Sequence, residues 1–167
     1  KSLSNAVVAQ YKNKPEFIWV VDNKPTVAAL SVLQILQDAN SVGLRSEEYT
    51  ISRTILDDTT LTGEARNEQL IRFEISLTMR ALRYAQDARF GRIDPNKLSE
   101  YHYFPKRKIN SATMLADLLN AEDTAQFLRS LSPQNEAFRA LKAELAVSRT
   151  DAPVEEPVVI KKGTVIR

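Results

Sequence analysis

Between about Glu64 and Arg89 the apolar residues Leu70, Phe73, Leu77, Ala81, Tyr84 and Ala88 recur at helical spacing, while Arg72, Ser76, Arg80, Arg83 and Asp87 form the opposite stripe. The pattern predicts one long helix with its apolar side turned to a core. Glycine indicates what surrounds it. The chain has four glycines, and Gly43, Gly63 and Gly91 all lie between helical patterns, so helix is the dominant reading. The expected fold is mainly α: a compact multi-helix domain with at most one short strand or extended segment.

The remaining segments agree. Leu3, Ala6, Val7, Val8 and Tyr11 predict a short amphipathic helix, stopped by Lys12-Asn13-Lys14-Pro15. Phe17-Ile18-Trp19-Val20-Val21 is β-branched and aromatic, and reads as a short buried strand standing alone. From Pro25, taken as a first helical position, Ala28, Ala29, Val32, Leu33, Leu36 and Ala39 predict a helix running to Gly43. Residues 46–62 have no clear period and read as a loop with one turn. Gly91 and Asp94-Pro95 end the long helix. Three short helices are expected after it. Ser111 would cap the first and Asn120 the second, with Glu122 and Asp123 in its first turn. Ser132-Pro133 would start the third, with Phe138, Leu141 and Leu145 on one face.

The expected domain spans residues 1–149. Residues 150–157, Thr150-Asp151-Ala152-Pro153-Val154-Glu155-Glu156-Pro157, are acidic and proline-rich and read as a linker. Residues 158–167 read as the start of a following module, cut short. The first residue is Lys1 rather than methionine, which suggests a processed product or a piece of something longer. No stretch approaches the roughly 18 apolar residues of a membrane helix.

Composition limits the chemistry. With 23 Lys and Arg against 21 Asp and Glu, the net charge of +2 gives no bulk argument for a polyanionic partner, and nucleic acid is not expected. The chain has no cysteine, which removes disulfides, thiolate ligands and a cysteine nucleophile together. It leaves the compartment open. The lone His102 has no second histidine or carboxylate at ligand spacing, so packing between Tyr101 and Tyr103 is its simplest role. The carboxylate pairs Glu47-Glu48, Asp57-Asp58, Glu122-Asp123 and Glu155-Glu156 are sequence neighbours that point apart on a helix, and they read as solvated faces or caps. There is no G-x-G-x-x-G, P-loop or G-x-S-x-G motif. Lys106-Arg107-Lys108, flanked by Tyr101, Tyr103 and Phe104, is the best candidate binding patch, set against the plainer reading of a solvated loop anchored by its aromatics. The Arg72, Arg80, Arg83 face reads as the wet side of a helix. No catalytic, cofactor-binding or metal-binding residue is assigned, and no cofactor is expected.

Four blocks occur in order. They are Phe17-Ile18-Trp19-Val20-Val21-Asp22 before the Ala29-Leu30 to Ala39 helix; Gly43-Leu44 with Glu47-Glu48-Tyr49; Leu77-Thr78, Tyr84 and Ala85 leading to Phe90-Gly91-Arg92-Ile93-Asp94-Pro95; and Leu128 to Leu131 with Pro133, Phe138, Leu141 and Leu145. This order resembles the N-terminal scaffold domain of the large, multi-domain L,D-transpeptidases of Gram-negative bacteria, the YcbB-like branch, over about residues 17–147. The Gly91-Arg92-x-Asp94-Pro95 block is its most specific part. Phe138 departs from it, standing where the family carries tyrosine. The resemblance implies a periplasmic enzyme, or one anchored to the inner membrane by a segment absent from this chain. Such an enzyme forms 3-3 cross-links between peptidoglycan stem peptides through a cysteine in a Ser/Thr-His-Gly-Cys motif, with a histidine base. That motif does not occur here, so the resemblance carries no catalytic residue onto this chain. It implies a scaffold whose partners are the catalytic and peptidoglycan-binding modules of the same protein, and peptidoglycan. The competing readings are a helical adaptor or protein–protein interaction domain with no enzymatic parent, and a nucleic-acid binder using Lys106 to Lys108.

Overall fold

The computed structural model describes residues 2–51, 61–97, 103–105 and 109–150. Among these the order is α1 (Ser2–Asn13), β1 (Val20–Val21), β2 (Lys24–Pro25), α2 (Val27–Gln37), 3₁₀ turns at Ala39–Val42 and Ser46–Glu48, α3 (Gly63–Phe90), a further 3₁₀ turn at Pro95–Lys97, α4 (Ser111–Asn120), α5 (Thr124–Ser130) and α6 (Glu136–Thr150). The mainly helical reading is correct. The linker expected at 150–157, beyond Thr150 itself, and the segment 158–167 lie outside the described residues.

The long helix α3 is the hub, packing on α1, α2 and α4, while α2 meets α5 and α1 meets α4. Leu70, Phe73, Leu77, Ala81 and Tyr84 are buried as the stripe predicts, and Leu82 and Ala85 widen it. They close on Val7 of α1, Trp19, Leu33 and Leu36 of α2, Leu118 of α4 and Leu128 of α5. Each fully buried leucine contributes about 1.5–3 kcal/mol of transfer free energy to this contiguous cluster.

The Phe17–Val21 segment does not stand alone. Val20 pairs with Pro25 and Val21 with Lys24 in an antiparallel hairpin. Its two-residue turn has Asp22 at φ 50 and Asn23 at φ 60. Two left-handed residues in succession match the right-handed twist of a hairpin, and Asp and Asn are the non-glycine residues that enter that region most easily. Pro25 is therefore a strand residue, not the helix start. Thr26 is the N-cap of α2, accepting from the Ala29 N–H at 3.1 Å. The same helix stops at Gln37, and a 3₁₀ turn ends at Gly43, whose φ of 80 favours a residue without Cβ.

Three other starts shift. Asn110, not Ser111, caps α4, its side chain accepting from Ala112 N at 3.1 Å and Thr113 N at 3.2 Å. Ser111 is instead buried and accepts from Gln86 Nε2 at 2.8 Å. Asp123, not Asn120, caps α5 through Gln126 N at 2.9 Å. The last helix starts at Glu136, past Ser132-Pro133, with Asn135 accepting from Phe138 N at 2.8 Å. On α6 the face turned inward carries Phe138 and Leu145, both half-buried, whereas Leu141 is 68% exposed. This helix rests on the Ala39–Val42 turn, and Arg149 donates to the Asn40 carbonyl at 2.7 Å. Asn110→Ala is expected to cost about 1 kcal/mol in urea denaturation, because two amides of the first turn lose their acceptor. The same substitution at Ser111 removes no cap.

Candidate functional site

One face of α3 carries two polar groups into the core. Glu74 and Thr78, a helical turn apart, are both buried, Glu74 at 1% exposure. Tyr11 of α1 donates its hydroxyl to Glu74 Oε1 at 2.8 Å, and the Ile18 amide donates to the same oxygen at 2.6 Å. The Trp19 amide donates to Glu74 Oε2 at 2.9 Å. The Trp19 indole N–H donates to Thr78 Oγ1 at 2.8 Å, which lies 2.6 Å from the Tyr11 hydroxyl. Burial pushes the Glu74 carboxyl up from its usual range, while the Ile18 and Trp19 amides and the Tyr11 hydroxyl pull it down. Burial likewise raises Tyr11, opposed by its Thr78 bond and reinforced by Glu74. A carboxylate so enclosed, with both oxygens already accepting, is a clasp holding α1 and the hairpin onto α3.

A second network surrounds the other end of α3. Gly91, at φ 77, turns the chain out of the helix and brings Arg92 back over it. Arg92 meets Glu48 Oε1 at 2.7 Å, and Arg83 meets Glu48 Oε2 at 2.8 Å. Arg80 donates to the Glu48 carbonyl. Tyr49, next in sequence, donates to Asp87 Oδ2 at 2.6 Å, which lies 3.7 Å from Arg83 Nε and 3.9 Å from Arg92 Nε. The Tyr49 ring stands edge-on to Tyr84, with centroids 5.6 Å apart and planes at 86°. Burial first, then the Asp87 bond, pushes the Tyr49 phenol up, while Arg92 and Arg83 oppose it. The Glu47-Glu48-Tyr49 and Gly91-Arg92-x-Asp94-Pro95 blocks, far apart in sequence, are thus two sides of one lock.

The family model of the Scaffold domain matches residues 5–145. The chain belongs to the Scaffold domain family. The match runs from α1 into α6 and takes in both networks. No curated protein and no solved structure matches the chain.

In this scaffold domain the residues singled out from sequence have varied places. The Arg72, Arg80, Arg83 face is not uniformly wet. Arg72 does pair on the surface with Glu68 at 2.6 Å, but Arg80 and Arg83 are pinned against the Ser46–Glu48 turn. Of the carboxylate pairs, Glu47 and Glu122 are exposed, Asp123 is a cap, and Glu48 is the half-buried centre of the ion network rather than a solvated face. Tyr103 and Phe104 are exposed, with Asn96 bonded to both the amide and the carbonyl of Phe104, at 2.7 and 2.9 Å. His102, Tyr101, Lys106 to Lys108, Asp57-Asp58 and Glu155-Glu156 lie outside the described residues. Among the described residues no group of three metal-ligating side chains could hold an ion, and no helix is long and apolar enough to cross a membrane. Glu74 was missed from sequence. The signal for it was a carboxylate four residues after Leu70 and three before Leu77, inside the apolar stripe.

Proposed function

We propose that this scaffold domain is the non-catalytic portion of a peptidoglycan L,D-transpeptidase, holding the catalytic and peptidoglycan-binding modules of the same protein in position on the periplasmic cell-wall network. The observation that carries the reading is the Glu48–Arg92 lock. It ties Arg92, from the most specific block of the transpeptidase resemblance, to Glu48, and commits Glu48, Arg83, Arg92 and Asp87 to ion pairs and hydrogen bonds within the domain. The absence of cysteine agrees with this division of labour, because the acyl-enzyme of such a reaction needs a thiolate that another module would supply. A second reading, a helical interaction domain without an enzymatic parent, draws on the exposure of Leu141 and Val147 on α6.

The test incubates this domain and the full-length gene product separately with tetrapeptide-containing muropeptides. Cross-linked dimers are expected from the full-length protein and none from the domain. Cross-linking by the domain itself would overturn the non-catalytic assignment, and a full-length protein without transpeptidase activity would favour the interaction-domain reading.

A further inference from the structure

The polar groups of the two networks are matched to one another, but one cluster of cations is not. Between the end of α2, the Ala39–Val42 turn and the joint of α5 with α6 lies a cleft of about 380 Å³. Arg129, Arg139 and Lys142 line it, with Asp38 as the only acidic residue in its wall among the described residues. None of the three cations has an ion pair among the described residues, in contrast to Arg83 and Arg92. Ile35, Val42 and Phe138 add apolar surface to the lining.

Tyr84 forms the floor. The residue is 3% exposed, yet its hydroxyl has no hydrogen-bond partner among the described residues. Because no fully buried side-chain oxygen or nitrogen among the described residues lacks a partner, that hydroxyl opens into the cleft rather than into the core. Burial, and after it Asp38, raise the phenol, while Arg129 lowers it, so the group stays protonated and available as a donor. A phenol hydroxyl at the base of a cleft can donate to an acceptor that enters it.

We propose that this cleft binds the carboxylate end of a short peptide. The carboxylate takes the Tyr84 hydroxyl and the guanidinium donors of Arg129 and Arg139, with Lys142 adding charge. The last side chain of the peptide lies on Phe138, Ile35 and Val42. The volume suits a chain end, being near the lower limit of small-ligand pockets, and a lining that mixes cations with apolar side chains suits a peptide better than a bare inorganic anion. This inference does not rest on the transpeptidase reading.

The experiment is fluorescence polarisation on the whole chain with a labelled Ala-Ala-Ala-Leu peptide bearing a free carboxylate, its C-terminal amide, an amidated peptide with an internal glutamate, and inorganic phosphate as competitor. The free acid is expected to bind about tenfold tighter than either amidated peptide. Arg139→Ala, at an exposed position, should weaken it about fivefold or more, and added salt should weaken it further. Tyr84→Phe breaks no bond within the protein, so it should keep the thermal midpoint while weakening binding about threefold or more. Equal binding of acid and amide, equal binding of the internal-glutamate peptide, no binding, full displacement by phosphate at the peptide's own concentration, or an unchanged affinity in Tyr84→Phe would each overturn the proposal.

Discussion

Glu74→Ala is expected to destabilise the domain by about 2–5 kcal/mol at neutral pH, a large part of the about 5–15 kcal/mol that a domain has in total. The loss comes less from the missing carboxylate than from what it leaves behind. The Ile18 and Trp19 amides point at its oxygens inside the core and would be left without an acceptor, while the Tyr11 hydroxyl would keep only Thr78 Oγ1. Glu74→Gln separates charge from acceptor number. It keeps one oxygen and turns an amide nitrogen toward a donor, so about half of that loss is expected. Urea denaturation of the three proteins measures the series, and an alanine variant within about 1 kcal/mol of wild type would contradict the clasp.

The sign of its pH dependence follows from the direction of the shift. Burial raises the Glu74 carboxyl above its ordinary 4.5, so over the interval between the two values the folded state holds a proton that the unfolded chain has released. Stability from this group is complete below the unfolded value and is lost as pH rises through the folded one. The stability gap between wild type and Glu74→Gln should therefore be widest in acid and narrow as pH rises. A gap that widens with pH would show that the three donors, and not burial, dominate the carboxyl.

Trp19→Ala should cost about 3–5 kcal/mol, through the cavity left by the largest of the fully buried side chains and the loss of its indole donor to Thr78. Trp19→Phe isolates the second part. It keeps most of the apolar volume but removes the donor to Thr78 Oγ1, for an expected loss of about 1–2 kcal/mol. Combining Trp19→Phe with Thr78→Val should cost less than the sum of the two, because each removes one end of the same bond. Strict additivity would mean that the indole–hydroxyl bond contributes nothing.

The long helix was legible because its period is long and its stripe regular. Leu70 to Tyr84 could form nothing else. Short elements were not so readable, because their limits depend on backbone geometry that periodicity does not carry. Asp22-Asn23 makes a hairpin only through two left-handed residues, which apolar periodicity does not encode, so by pattern alone the strand stands solitary and Pro25 opens a helix. The caps slipped by one to three residues for a related reason: Ser, Asn and Asp are clustered at each joint, and only the acceptor geometry selects Asn110 and Asp123. Of the polar networks, sequence supplied the parts but not the pairing. Glu48 and Arg92 were each noted within a block, yet their contact depends on Gly91 folding the chain back across α3. Arg83 sits opposite the apolar stripe, where periodicity places a wet face, a rule that fails when a loop covers the polar side.

The central claim is that the buried polar groups of this scaffold domain hold it together rather than act on a substrate. Native-state hydrogen exchange at the Ile18 and Trp19 amides tests it most directly. If Glu74 clasps the hairpin to α3, both amides should exchange only through openings close in free energy to global unfolding, and Glu74→Gln should lower that protection by the same amount that it lowers stability. Fast exchange of both amides by local opening in the wild-type protein, unchanged in the variant, would contradict it.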